Sequence, residues 1–229
     1  MLALDKKTGK PAWRSKDFTD AAAYSSIVAA DIGGKRTYIQ LTDRSVAGVD
    51  AETGKTLWRA DRKGEVAVIP TPVYADNHVF VTSGYGIGGH LFKITPAGDK
   101  FTVEQVHHKK DLDVHVGGVV LVDGHLYGTT DPTMLKCFEF LTGEEKWSER
   151  EGPGKGATVY ADGHLYVRNE GKPGHVTLVE ATPKAYVEKG RLEQSDGSGK
   201  NTWPPPVIAD GKMYIRDQDV LYCYEVKAK

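Results

Sequence analysis

The sequence predicts an all-β protein, a β-propeller of about five four-stranded antiparallel blades. Three observations predict it: a Thr-Gly turn followed by Trp that recurs at a regular interval, a second hairpin that recurs between its copies, and the near absence of helical periodicity. Repeats of roughly 40–50 residues that each contain four short strands are typical of propeller blades. A β-sandwich would show strands without this period.

The Thr-Gly turn is the first repeated element. Its copies are ALDKKTGKPAW, VDAETGKTLW and FEFLTGEEKW, whose turn glycines are Gly9, Gly54 and Gly143. The first two glycines are 45 residues apart and the last two are 89 apart, about twice that distance. A degenerate copy with Gly98 lies midway, and a weaker one follows at Val179–Val187. The length of one repeat is therefore close to the 45 residues that separate the first two glycines.

A second hairpin recurs between these turns. VYADNHVFVT, VLVDGHLYGT, VYADGHLYVR and VIADGKMYIR each alternate apolar and polar residues around an Asp-Asn or Asp-Gly pair, and VAADIGGKRTYIQL starts the series. Such pairs suit the type I′ turn, in which both central residues have positive φ. Each repeat therefore contains two hairpins and four strands.

The repeats predict a single propeller domain over residues 1–229. Its approximate blades are 24–61, 69–111, 115–151, 156–196 and 203–227. The last of these lacks a fourth strand, which residues 2–16 could supply and so close the ring. The opening residues MLALD, however, duplicate a third strand, so an open arc remains the alternative. Its exposed edges could pair with another copy of the chain.

Composition limits the function classes. The net charge is −1, so no general attraction to nucleic acid is expected. The sequence has no run of 18 apolar residues that would span a bilayer and no apolar segment typical of a signal peptide. Cys137 and Cys223 occupy equivalent strand positions in two repeats, so we expect two buried packing residues rather than a disulfide.

The pattern A-x-D-x-x-T-G-x-x-x-W resembles the tryptophan-docking motif of pyrroloquinoline-quinone (PQQ) repeat propellers. The first copy, Ala3 to Trp13, matches fully, whereas the second has Gly48 in place of Ala and the third has Glu139 in place of Asp. A large indole can lie as an apolar plate against a neighbouring blade. The resemblance implies a docking role for Trp13, Trp58 and Trp147, supported by the turn residues Gly9, Gly54 and Gly143.

The resemblance implies two kinds of function. One group comprises PQQ-dependent alcohol dehydrogenases, which hold the quinone and Ca²⁺. The other comprises non-enzymatic propellers, similar to the outer-membrane assembly lipoprotein, which present loops to protein partners. The chain also resembles the C-terminal part of longer bacterial PQQ-like repeat proteins, often labelled polyvinyl-alcohol-dehydrogenase-like. A periplasmic or secreted location is implied in either case.

The sequence favours the non-catalytic group, with no cofactor. The dehydrogenases carry an adjacent Cys-Cys pair, which is absent here. Calcium prefers six to eight oxygen ligands, and its nearest candidates are Asp217 with Asp219, or Asp111 with Asp113. The glycine-rich stretch at Gly84–Gly89 precedes a strand rather than a helix, so it is not a phosphate-binding loop. PQQ and Ca²⁺, or another metal, remain the alternative.

The up-and-down order of strands in a blade predicts one face with short turns and an opposite face that collects the irregular loops. Irregular loops on a rigid scaffold are the usual place for function. The residues that we expect to bind a ligand or partner there are Tyr85, His107, His108, His115, Trp203, Arg216 and Asp217. His107, His108 and His115 are also weak candidates for a transition-metal site.

Trp203 differs from the other tryptophans because it precedes three prolines and follows no Thr-Gly turn. It is either an exposed recognition residue or a plug packed on the ring, and packing is favoured. Two hypotheses follow from the sequence. The first is a non-catalytic propeller that binds a protein or an extracellular ligand on its irregular face. The second is a quinone- or metal-dependent oxidoreductase of the alcohol dehydrogenase type.

Overall fold

The computed structural model describes residues 1–132 and 134–227. Residue 133, within the predicted blade 115–151, and residues 228 and 229, at the end of the predicted domain, lie outside the described residues. The described residues form antiparallel strands and no helix. None of them belongs to a helix that is long and apolar enough to cross a membrane. The chain divides into two compact units, Met1–Asp113 and Val114–Lys229.

The first unit contains one hairpin and two four-stranded sheets, each in simple sequential order. The hairpin consists of β1 (Leu2–Leu4) and β2 (Pro11–Arg14). Blade 1 consists of β3 (Val28–Ile32), β4 (Lys35–Leu41), β5 (Ser45–Asp50) and β6 (Thr56–Asp61). Blade 2 consists of β7 (Val73–Ala75), β8 (His78–Ser83), β9 (Gly88–Ala97) and β10 (Lys100–Lys109).

The second unit contains two four-stranded sheets and one three-stranded sheet. Blade 3 consists of β11 (Val119–Val122), β12 (His125–Thr130), β13 (Met134–Glu139) and β14 (Glu145–Glu149). Blade 4 consists of β15 (Gly156–Ala161), β16 (His164–Asn169), β17 (His175–Glu180) and β18 (Glu188–Glu193). The last sheet consists of β19 (Val207–Ala209), β20 (Lys212–Asp217) and β21 (Val220–Glu225).

The prediction of four-stranded antiparallel blades is confirmed. A single domain, closure of a fifth blade through the termini, and pairing of open blade edges with a second copy stay predictions.

The inner hairpins have the predicted turn geometry. Asp76 and Asn77, in the first of the Asp-Asn and Asp-Gly pairs, have φ angles of 47° and 59°. Both residues of the later pairs also have positive φ: Asp123 with Gly124, Asp162 with Gly163, and Asp210 with Gly211. Positive φ at both central residues is the mark of the type I′ turn, whose twist matches that of the flanking strands.

The Thr-Gly turns are held by a carboxylate. Asp50 Oδ1 accepts hydrogen bonds from the Thr53 backbone N at 2.8 Å and the Thr53 hydroxyl at 2.9 Å. Gly54 then adopts a φ of 76°, which a residue with a Cβ atom adopts at a cost. Asp5 and Thr8 repeat these bonds in the first copy.

Two of the three motif tryptophans reach a turn of the following sheet. Trp13 Nε1 donates to the Ala51 carbonyl at 3.0 Å, and Trp147 Nε1 donates to the Thr182 carbonyl at 2.8 Å. Buried Trp58 meets no acceptor among the described residues. In blade 2, the next sheet, only two residues connect β9 to β10. This turn is narrower than the turns that provide the carbonyls of Ala51 and Thr182 to the other two tryptophans. The docking role stays a prediction.

The two cysteines have different environments, which corrects the expectation that both are buried. Cys137 is fully buried and pairs in the ladder with Trp147 on β14, whereas Cys223 is exposed. Cys223 lies on β21, an edge strand of the three-stranded sheet, where no fourth strand of that sheet covers it. Neither forms a disulfide.

Replacement of Gly48 by Ala tests the contact between the Trp58 ring and its strand partner. A Cβ atom at position 48 would lie 2.2 Å from Trp58 Nε1, so the indole must move, and we expect the free energy of unfolding to fall. Overpacking of this kind typically costs about 1–3 kcal/mol. Urea unfolding measures the loss.

Gly190 in β18 provides the matched control. A Cβ atom there meets nothing within 4 Å, and its φ lies outside the left-handed region. We expect Gly190→Ala to leave the unfolding free energy unchanged or to raise it by about 0.5 kcal/mol. Equal losses in the two variants would contradict the proposed packing of Trp58 on Gly48.

Candidate functional site

A cavity of about 640 Å³ in the second unit is the strongest candidate site. Its walls combine cationic, amide and ring side chains and contain no carboxylate. The cations are Lys172, Lys200 and Arg216, the amides are Asn201 and Gln218, and the rings are Trp203 and Pro204; Gly199 completes the lining. The pocket can therefore attract an anion and also offer it a flat apolar surface.

Three loops of the predicted irregular face build this pocket. They join β16 to β17, β18 to β19, and β20 to β21. Successive strands of an antiparallel sheet run in opposite directions, so the loops after the second and fourth strands of a blade emerge on the same side. The structure thus brings the predicted residues Trp203 and Arg216 into one site.

Trp203 is exposed, so the preference for a packed plug is wrong. Its side chain is 54% accessible, and its Nε1 donates to Glu170 Oε2 at 2.9 Å. This hydrogen bond positions the indole while leaving much of its surface in solvent. A tryptophan with an apolar body and one anchored polar atom is well suited to recognition.

The three cations of the pocket are exposed and lack ion-pair partners among the described residues. Arg216 Nε donates to the Gln218 carbonyl at 2.9 Å, which holds the side chain across the β20–β21 turn. Its two terminal nitrogens meet no hydrogen-bond acceptor in the described part of the chain. They remain free to donate to a ligand.

Arg168 forms the support behind the pocket and was missed by the sequence analysis. Its side chain is fully buried. Nη1 donates to the Arg216 carbonyl at 2.6 Å and to the Pro204 carbonyl at 3.3 Å, so one guanidinium connects two of the pocket's walls. Nη2 donates to Gln194 Oε1 at 3.3 Å. Burial lowers the pKa of this guanidinium, an effect that the nearby Asp217 charge opposes.

A departure from the repeat pattern could have revealed Arg168. The equivalent positions in blades 2 and 3 are Thr82 and Thr129, whose hydroxyls donate to Leu112 O at 2.5 Å and Gly156 O at 2.6 Å, in the chain just beyond each blade. Arg168 makes the same kind of bond to Pro204 with a longer side chain. A long cation in place of a threonine indicates a wider gap to bridge.

Asp217 lies behind the pocket wall rather than in the lining, which corrects its expected role as a contact residue. It is 3% exposed, and its carboxylate accepts from Ser198 N at 2.7 Å and Ser198 Oγ at 2.6 Å. The hydroxyl and backbone hydrogen bonds of Ser198 hold the pKa of Asp217 below its usual range, with a further contribution from Arg168. Asp217 therefore positions the β18–β19 loop.

The structure places the other predicted site residues outside this pocket. Tyr85 lies in the turn between β8 and β9, where it is exposed. His107 and His108 lie in strand β10 and not in a loop, because the β9–β10 ladder continues to Lys109. His108 stacks on His90 with ring centroids 3.9 Å apart. Burial, with the charges of Arg62 and His108, lowers the pKa of His90 to about 3, so its ring stays neutral at pH 7.

His115 belongs to the second unit and has different partners. Its Nδ1 lies 2.7 Å from Lys155 Nζ and 3.8 Å from Asp131 Oδ2. Over residues 1–132 and 134–227, no three His, Cys, Asp or Glu side chains are grouped as metal ligands. The three histidines therefore do not form a common site in the described residues.

The residues present do not fit calcium beside a quinone. The Asp217 oxygens already accept hydrogen bonds from Ser198 and Gln194. Asp113 is buried, and its Oδ2 accepts from Gly86 N at 3.0 Å. Neither aspartate gathers the six to eight oxygens that Ca²⁺ prefers.

The described strands and turns define an all-β propeller protein with four-stranded blades. Residues 1–95 match the family described as outer membrane protein assembly factor BamB, a family of PQQ-type repeats. The prediction of a PQQ-like repeat propeller is confirmed by this match together with the fold of BamB. No curated relative matches the chain significantly.

Solved structures share the fold at low sequence identity. BamB from Moraxella catarrhalis is 14% identical with a TM-score of 0.64, and the match covers 97% of this chain and 65% of that protein. The chain thus spans less than two thirds of BamB. The computationally designed Ika8 protein is 12% identical with a TM-score of 0.58, covering 96% and 75% of the two chains. A europium-containing methanol dehydrogenase is 15% identical with a TM-score of 0.44, covering 62% and 34%.

The Asp217–Ser198 contact predicts a pH-dependent stability. Because the folded-state pKa is lowered, the carboxylate stabilises the native chain above the ordinary aspartate pKa of about 3.9. This contribution is lost as the pH falls through the lower, folded value. At pH 6, Asp217→Asn should reduce the free energy of unfolding by about 1.5–3 kcal/mol, the range for hydrogen bonds to a charged group.

Denaturant unfolding of the wild type and of Asp217→Asn between pH 6 and pH 3 checks this prediction. The difference between the two proteins should shrink as the pH falls, since only the wild type has this carboxylate to protonate. A difference that stays constant over this range would contradict the role of the charged form.

Proposed function

We propose that the chain is a non-catalytic propeller scaffold that binds a ligand or a protein through the loops of its irregular face. One observation carries the proposal: three cations without ion-pair partners in the described residues converge beside an exposed, anchored tryptophan. The floor beneath them is rigid, because buried Arg168 connects the loops. A concave pocket with polar groups held at set positions can fix the orientation of a ligand.

The proposal includes function without PQQ or calcium. The two cysteines are far apart in sequence and occupy different sheets, so no adjacent pair can form the disulfide ring that the resemblance to dehydrogenases requires. Asp217 accepts hydrogen bonds from the β18–β19 loop, and one oxygen of Asp113 accepts from Gly86 N. These two observations favour binding over alcohol oxidation.

We also propose a periplasmic or secreted location and a partner outside the cytoplasm. The support is the matched family, whose description names an outer membrane assembly factor. The match covers the first 95 residues, whereas the pocket lies in the second unit. A partner at the pocket is therefore proposed from its own chemistry rather than from that of BamB.

An array of oligosaccharides and short peptides, neutral and charged, tests the binding proposal. We expect a subset of the array to bind the wild type, and those signals to fall at least tenfold in Trp203→Ala and Arg216→Gln. Both side chains are exposed, so the variants should retain the wild-type circular dichroism and melting temperature. Lys184→Gln, an exposed cation of the same unit outside the pocket, is the matched control. Signals equally strong in all variants would contradict this site.

A cofactor titration tests the second part of the proposal. Purified protein is mixed with PQQ and Ca²⁺, and binding is followed by calorimetry, with turnover of a primary alcohol followed by reduction of a dye. We expect no saturable binding at tens of micromolar and no turnover. Saturable binding of both with dye reduction would establish the oxidoreductase alternative.

A further inference from the structure

The chemistry of the pocket indicates the class of its ligand, an inference that rests on the proposed function. We propose that the pocket binds an acidic oligosaccharide, a short chain of sugar rings that carry carboxylate groups. The carboxylates lie against Lys172, Lys200 and Arg216, and one sugar ring stacks on Trp203.

Charge is the first argument. The lining has three cations and no carboxylate, although the chain as a whole has a net charge of −1. Local cation excess in a near-neutral protein marks a place that attracts anions. Arg216 is held by its Nε, which leaves two terminal nitrogens that match the two oxygens of a carboxylate.

The tryptophan is the second argument. The C–H groups on one face of a sugar ring are slightly positive, and the face of an indole is negative, so the two faces attract. Trp203 is 54% exposed and is held from one side by Glu170, which gives a sugar a rigid platform. Because Glu170 is itself a carboxylate, the anionic groups of the ligand are expected on the opposite side, towards the cations.

The amides are the third argument. Gln218 Nε2 donates to the Asn201 backbone carbonyl at 3.3 Å, which links two walls of the pocket. The side-chain oxygen Oε1 of Gln218 and the side-chain amide of Asn201 then provide donors and acceptors for sugar hydroxyls. Hydroxyls need such paired partners, since a polar group that loses water without gaining a hydrogen bond weakens binding.

An acidic peptide fits this pocket less well. Protein interfaces concentrate their energy in apolar and aromatic anchors that fill buried pockets. Apart from Trp203 and Pro204, the lining offers no apolar side chain to receive such an anchor. A volume of about 640 Å³ instead falls within the range of small-ligand pockets, roughly 300–1,000 Å³.

Isothermal titration with trigalacturonate, a carboxylate on each of three sugar rings, tests the inference. Maltotriose is the neutral control of equal length, a hexaglutamate peptide is the acidic non-sugar control, and sodium sulfate tests for simple ion binding. We expect saturable binding of trigalacturonate only, at least tenfold weaker when salt is raised from about 0.02 M to about 0.5 M, because exposed charges are then screened.

Variants separate the contributions of charge and ring. Trp203→Ala and Arg216→Gln should each weaken trigalacturonate at least tenfold, and Arg216→Lys, which keeps the charge but loses the fork, should be intermediate. Lys184→Gln should bind as the wild type does. Intrinsic tryptophan fluorescence should change on binding in the wild type and lose that change in Trp203→Phe.

Several outcomes would overturn the inference. Equal binding of maltotriose would remove the role of charge, and equal binding of sulfate would reduce the site to one for a simple ion. Pocket-dependent binding of hexaglutamate without trigalacturonate would overturn the saccharide class but keep the proposed scaffold function. If none of the four binds and the pocket-dependent signals of the array come only from neutral sugars or peptides, the acidic-saccharide class again fails alone. If neither experiment gives a pocket-dependent signal, both proposals fail.

Discussion

The tight type I′ turn that joins the first two strands of each blade is the constraint on which the rest of the structure depends. Positive φ at both residues of Asp-Asn or Asp-Gly joins the first two strands with almost no loop. The following strand must return in the opposite direction, so the loops after the second and fourth strands emerge together at the other end of the blade. The same backbone geometry that closes the inner hairpins thus collects Lys172, Trp203 and Gln218 at one site.

Loops that emerge on one side of neighbouring sheets do not by themselves form a rigid site. Here, buried polar side chains hold the loops in place through hydrogen bonds. Arg168 is expensive to bury, because a guanidinium loses its hydration and here meets carbonyls rather than a carboxylate at hydrogen-bond distance. Those carbonyls belong to Arg216 and Pro204, two walls of the pocket. Asp217, next to Arg216 in the chain, fixes Ser198 from the same side. Buried hydrogen bonds thus hold the pocket from beneath, whereas the cations on its surface have no ion-pair partner among the described residues.

Much of the fold, but less of the site, can be predicted from the sequence. Turn residues such as Asp123 and Gly124 specify their backbone angles locally, so strand order and the side of each loop follow from them. The exposure of Trp203 depends on Glu170 in another loop, and the exposure of Cys223 on the lack of a fourth strand in its sheet. Local sequence patterns carry no information about a contact with another loop or about the number of strands in a sheet. His107 was misplaced because the β9–β10 ladder is longer than in the other blades.

The chemistry of the pocket suits the proposed binding function for a physical reason. General acid–base catalysis needs a titratable group whose pKa is near the working pH and which can reach the ligand. The histidine with a strongly lowered pKa, His90, is buried beneath His108, and the carboxylate with a lowered pKa beside the pocket, Asp217, is turned towards Ser198. The pocket surface instead presents an arginine, lysines, amides and an indole. These groups can attract a charged ligand and orient it.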